Sequence, residues 1–147
     1  MLTALQETGA VFLVVGAHAM AAHGVPRATG DLDIWVRPDP ENAPKVFAAL
    51  LEFGAPLDTM GLTVDDLTKP DAVFQFGLPP RRIDILTEID GVEFDDAWPS
   101  HIMVKIQDLE EVPFLGWEDL LRNKKASGRP KDIADLDLLE RQDPRKA

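Results

Sequence analysis

Three aspartates and one glycine carry the most chemical meaning in this chain. Asp31 and Asp33 flank Leu32 in the stretch Asp31-Leu32-Asp33-Ile34-Trp35-Val36, where apolar and polar residues alternate. In a strand, residues i and i+2 share a face, so the two carboxylates project together while Leu32 and Ile34 turn to the other side. Like charges one strand-step apart need compensation. A divalent cation supplies it, and hard carboxylate oxygens suit Mg²⁺, which completes its shell with phosphate and water. Asp84 sits in a second alternating segment, Arg82-Ile83-Asp84-Ile85-Leu86, flanked by isoleucines. If the two strands are neighbours, three carboxylates meet on one face. That is the donor set of a two-metal phosphoryl site, with one carboxylate free to take a proton from an attacking hydroxyl. The plainer reading of Asp84 is an ion pair with Arg81 or Arg82. Gly16 closes the apolar run Val11-Phe12-Leu13-Val14-Val15, fifteen residues before Asp31. A glycine at a strand-to-helix turn lets backbone approach a ligand, and the following helix offers free N–H groups to a phosphate.

Those residues need elements to hold them. The run 11–15 is rich in β-branched residues and predicts a strand buried on both faces. A helix-compatible lead-in covers 2–8, and an alanine-rich helix covers 17–23 with Gly24 as its stop. The loop 24–30 contains two glycines and a proline. Residues 40–53 read as a helix opened by Pro40 and stopped by Gly54. Residues 63–68 read as a short helical turn capped by Thr63. Strands are expected over 73–76 and 82–86, joined by GLPP as a hairpin, with further extended pieces at 102–106 and 113–115. Helices at 117–126 and 132–141 flank an SGRP break. With no repeat and no long linker, residues 1–147 predict one α+β domain, a mixed β-sheet flanked by helices whose C-terminal helical part, about 117–141, packs on it.

Composition narrows the function classes. Apolar residues at 45% and charged residues at 28% fit a globular chain and exclude disorder as its general state. The absence of cysteine removes disulfides, thiolate metal sites and cysteine nucleophiles. No segment is long and apolar enough for a membrane span, and no export leader is evident, so a cytoplasmic location is expected. The net charge of -11 opposes broad nucleic-acid contact. Yet Arg122, Lys124, Lys125, Arg129 and Lys131, a third of the fifteen basic residues, cluster in ten positions. Such a run is commonly a solvated helix face. His18 and His23 stand five apart, not the i, i+4 spacing of a helical zinc pair, and no Walker, dinucleotide or nucleophile-elbow pattern occurs.

The blocks VVGAHAMAAHG, RATGDLDIWV and NKKASGRPKDIADL resemble the DNA polymerase beta-like nucleotidyltransferase superfamily, in particular small bacterial nucleotidyltransferases related to the abortive-infection toxin group. The similarity covers roughly residues 11–139. It implies transfer of a nucleoside monophosphate from an NTP co-substrate to a hydroxyl acceptor, with two Mg²⁺ ions as cofactor. One ion would activate the acceptor hydroxyl and the other would hold the triphosphate. By position it implies Asp31, Asp33 and Asp84 as catalytic metal ligands and Gly16 and Ala17 under the triphosphate. Arg27 and Thr29 would lie near the nucleotide, and Lys125, Arg129 and Asp132 would form a clamp on NTP or acceptor phosphate. Ala17 departs from the Ser or second Gly common there and lacks a hydroxyl for phosphate. The chain also has no separate recognition domain, so an acceptor must be small or be held by a partner or second subunit. The acceptor is not named by the sequence: RNA, a protein hydroxyl and a small alcohol all fit. An alternative is a catalytically inactive module of the same fold that binds nucleotide, or one component of a toxin–antitoxin pair; an antitoxin partner or a homodimer fits either reading. A third reading is an acidic interaction protein with no nucleotide site.

Overall fold

The computed structural model describes residues 1–26, 31–78 and 81–143. A continuously buried strand, β1 (Phe12–Val15), takes the middle of a six-stranded mixed sheet. All four of its residues are enclosed, as an apolar run without alternation requires. On one side it pairs antiparallel with β2 (Leu32–Val36), and on the other it pairs parallel with β6 (Glu111–Phe114). Beyond β2 comes β4 (Ile83–Leu86), parallel to it, and then the edge strand β3 (Val73–Phe76), antiparallel to β4. The opposite edge is β5 (Ile102–Lys105), antiparallel to β6. The order is therefore β3-β4-β2-β1-β6-β5. The hairpin expected between 73–76 and 82–86 is present, although Pro79 and Pro80 of its turn lie outside the described residues.

Seven α-helices are present among the described residues: α1 (Leu2–Thr8), α2 (Gly16–Ala22), α3 (Ala43–Phe53), α4 (Leu57–Met60), α5 (Phe94–Ala97), α6 (Trp117–Ser127) and α7 (Pro130–Arg141). The helix expected to open at Pro40 instead begins at Ala43. Asp39 accepts a hydrogen bond from the Asn42 backbone at 2.7 Å, and the Asn42 side chain is drawn inward to Val11 and Arg37. Residues 40–42 are thus spent on a turn. Helices α4 and α5, of four residues each, are too short to show a helical period and were not expected from the sequence. The turn at 63–68 is a 3₁₀ segment, Asp65–Thr68, with Thr63 and Asp66 exchanging hydrogen bonds at its start.

The sheet divides these helices between two faces. Phe53 at the end of α3 meets Phe76, which shares a face with Ile83. On the other face Trp35 of β2 lies edge-on against Phe94 of α5, with ring centroids 4.9 Å apart. Helices α6 and α7 pack on each other through a buried ion cluster: Lys124 reaches Asp132 at 3.4 Å and Asp135 at 3.1 Å. No helix of the described residues is long and apolar enough to cross a membrane.

Candidate active site

Strand register creates the site. Asp33 of β2 lies directly opposite Asp84 of β4, which lies opposite Gln75 of β3; on the far side Asp33 lies opposite Val15 of β1. Registered neighbours share a face, so Gln75, Asp84, Asp33 and Val15 form one row across four strands. Asp31, two residues before Asp33, points to the same face, and so does Trp35, two residues after it. Trp35 is fully buried, so the polar row borders the hydrophobic core directly. The expectation that the two acidic strands are neighbours is met, and they are parallel.

Gly16 follows Val15 with φ +67, a conformation that side chains avoid. A Cβ at Gly16 would stand 2.3 Å from Asp33 Oδ2. Its freedom from a side chain is therefore used by the Asp33 carboxylate. Ala17 follows in the first turn of α2.

The carboxylates are unequal. Burial pushes Asp33 up to about 6, and the charge of Asp84 and a hydrogen bond shared with it add to this, while Lys131 and Arg82 pull the other way. Asp84, itself buried, accepts from Arg82 Nε at 2.9 Å on Oδ1, and on Oδ2 from Arg82 Nη2 and Gln75 Nε2, both at 3.3 Å. The ion pair of Asp84 with Arg82 is thus real. The same guanidinium also stands 3.7 Å from Asp31 Oδ2, and the Arg82 backbone N–H donates to Asp31 Oδ1 at 3.2 Å. Among the described residues, no three His, Cys, Asp or Glu side chains are gathered as a ready ligand set. Two adjoining acids, one of them with its ionisation opposed by burial and by the charge of the other, do fit Mg²⁺, which commonly uses one or two carboxylates and fills its shell from phosphates. Asp33 and Asp84 are the pair, with Asp31 beside them.

The basic cluster separates by helix phase. Lys124 is buried on the same stripe of α6 as Leu120, four residues earlier, and serves the Asp132–Asp135 cluster. Lys125 is exposed. Asp132 is fully buried at the third position of α7, where it accepts from the Arg129 backbone at 3.3 Å and from its guanidinium. Burial raises the Asp132 carboxyl, but Arg129 and Lys124 outweigh it and hold it below the ordinary value. Asp132 is therefore a buried anchor that positions Arg129. Beyond the Asp132 hydrogen bond, the charges of Asp90 and Asp33 also act on the Arg129 guanidinium. With Lys131 acting on Asp33, the N-terminal turn of α7 brings two cations toward the row of acids. Gln75 is the site neighbour that motif reading passed over, and Lys131 is the member of the basic cluster that acts on Asp33. Gln75 is signalled only by its place on the hairpin opposite Asp84. Arg27 and Thr29 lie outside the described residues.

The remaining histidines take structural places. His23 Nε2 is 2.8 Å from the Leu115 carbonyl oxygen, and its ring meets Trp117 edge-on. His101 stacks on Trp98. Among the described residues, the half-buried His18 has no hydrogen-bond partner on Nε2.

No protein-family model matches the chain, and no curated protein matches it in sequence.

Proposed function

We propose that the chain is a Mg²⁺-dependent nucleotidyltransferase, moving a nucleoside monophosphate from an NTP to a hydroxyl acceptor. The observation that carries this reading is the side-by-side placement of Asp33 and Asp84 on parallel strands, with the Gly16 backbone against Asp33. Asp31, Asp33 and Asp84 are the residues that would hold the metal. Bound there, Mg²⁺ would neutralise triphosphate charge and favour in-line displacement at the α-phosphorus.

The chain's own residues supply the rest. Burial and the Asp84 charge oppose ionisation of Asp33, an opposition that a bound cation would relieve, and a carboxylate oxygen left outside the metal's shell would take the proton of the acceptor hydroxyl. The turn at Gly16 and Ala17 offers backbone N–H groups to phosphate oxygens, in place of the hydroxyl that Ala17 lacks. Arg129 and Lys131, at the start of α7, supply positive charge toward the triphosphate, and the exposed Lys125 lies in the last turn of the preceding α6. Asp132 acts through Arg129.

The test is calorimetric titration of Mg²⁺ with a non-hydrolysable NTP analogue into wild type and into Asp31→Asn/Asp33→Asn, each checked for folding. Metal-dependent binding that the double variant loses supports the reading. Absence of binding in the wild type overturns it. A second reading, a module that binds nucleotide without turnover, is favoured by the engagement of Asp84 and Asp31 with Arg82 and by Ala17. It predicts NTP binding with no pyrophosphate release, whichever hydroxyl acceptor is offered.

A further inference from the structure

We propose that Arg82 is a displaceable counterion: its guanidinium holds Asp31 and Asp84 together until a divalent cation takes their oxygens. The inference rests on the metal-site reading of these aspartates. Arg82 makes three side-chain approaches to them, with Nε and Nη2 on the two oxygens of Asp84 and Nη2 near Asp31 Oδ2. A guanidinium fork matches two carboxylates in a way that a lysine ammonium cannot. Both Asp84 oxygens are already engaged, Oδ1 by Arg82 and Oδ2 by Arg82 and Gln75.

Coordination to Mg²⁺ requires an oxygen at about 2.0–2.1 Å. That oxygen cannot keep the guanidinium on the same lone pairs, so the cation and Arg82 compete. Charge favours the exchange: a divalent cation brings twice the charge of the guanidinium to the same carboxylate oxygens. The arginine can also leave, because its side chain is 33% exposed whereas that of Asp84 is only 10% exposed. Once displaced, its natural partner at such a site is the anionic ligand that arrives with the metal. Arg82 would thus keep the site folded and charge-balanced before loading.

The experiment measures Mn²⁺ and Mg²⁺ binding alone, by calorimetry at pH 7.5, to wild type, Arg82→Gln and Arg82→Lys. Thermal unfolding with and without Mn²⁺ is recorded in parallel. Loss of the competing ion pair should tighten cation binding about tenfold in Arg82→Gln. The rise in Tm on adding Mn²⁺ should be larger in that variant than in wild type, and Arg82→Lys should fall between them. Equal or weaker cation binding in Arg82→Gln overturns the proposal. If that variant does not fold, the Arg82→Lys comparison decides by the same criterion. An NTP analogue added in a second titration separates the two readings. Tighter Mn²⁺ binding in Arg82→Gln without nucleotide binding in any form keeps the counterion and overturns the nucleotidyltransferase. Nucleotide binding in wild type with unchanged Mn²⁺ affinity in Arg82→Gln does the reverse. No cation binding to any of the proteins overturns both.

Discussion

The backbone of Gly16 and the carboxylate of Asp33 occupy adjoining space that leaves no room for a single methyl group: a Cβ at residue 16 would lie 2.3 Å from Asp33 Oδ2 and 3.2 Å from its Cγ. Strand β1 ends and helix α2 begins at this point because the chain turns through a positive φ there. The turn and the placement of the acid are one feature.

Gly16→Ala should therefore destabilise the fold by about 1–3 kcal/mol, from the positive φ together with the clash. In an Asp33→Ala background the cost should be smaller, since the oxygen in the way has gone. A double-mutant cycle by urea unfolding measures the difference. Additive effects would show that the glycine serves backbone geometry alone.

Asp33→Asn should abolish nucleotidyl transfer and at the same time stabilise the protein near neutral pH. The folded-state value of Asp33 is raised, from 3.8 to about 6. Between those limits the native state binds more protons than the unfolded one, so wild-type stability falls as pH rises through that window. Asparagine removes the penalty. The expected gain at pH 7.5 is on the order of 1 kcal/mol, vanishing below pH 3.8 where the acid is neutral in both states. A lower Tm for the variant at pH 7.5 would contradict this account of the site's electrostatics.

Lys131 is one of two cations that lower Asp33 against the upward push of burial and Asp84. Its replacement by methionine should move the Asp33 titration above 6, as followed by carboxyl carbon NMR. The same change should weaken binding of the Mg²⁺–NTP analogue. A titration midpoint that stays put or falls would remove Lys131 from the vicinity of the acids.

Two neighbouring lysines should behave oppositely. Lys124→Met leaves Asp132 and Asp135 buried without their shared cation and should cost about 3–5 kcal/mol. Lys125→Ala, on the exposed side of α6, should change stability by no more than about 0.5 kcal/mol. Chemical denaturation of both variants checks the contrast. If Lys125 contributes to the phosphate clamp, its loss appears in nucleotide affinity instead.

Chelation should remove nucleotide binding without unfolding the chain. The hydrophobic core runs from Leu5 through the central strands to Leu139 and includes no metal-ligand cluster among the described residues. Circular dichroism in excess EDTA should match that of the untreated protein. A loss of helical signal would make the metal structural.

The readable parts of this molecule were those governed by short-range periodicity. Alternation in residues 31–36 placed Asp31, Asp33 and Trp35 on one face, and an unbroken apolar run marked β1 as enclosed. Alternation leaves open whether β2 and β4 are neighbours, in which direction they run and that Asp33 matches Asp84, because register between strands fifty residues apart is set by tertiary packing. Arg82 shows the same limit. Its bond to Asp84 follows from i, i+2 spacing, whereas its reach to Asp31 depends on which strand lies alongside. In α6 the decisive signal was available: Leu120 and Lys124 stand one helical turn apart, so Lys124 falls on the buried stripe and Lys125 does not.

The central position of β1 has a consequence for synthesis. Val14 pairs with Phe114, a hundred residues further along the chain, so one edge of the innermost strand stays open while most of the polypeptide is made. Such distant pairing slows folding and exposes an apolar edge to other nascent chains. The acids of β2 and β4 can come together earlier, but the cations of α7 arrive only after β6 has closed that edge. A ribosome-bound fragment would carry the aspartates and Arg82 without Arg129 and Lys131, whose charges reach Asp33 only once α7 is in place.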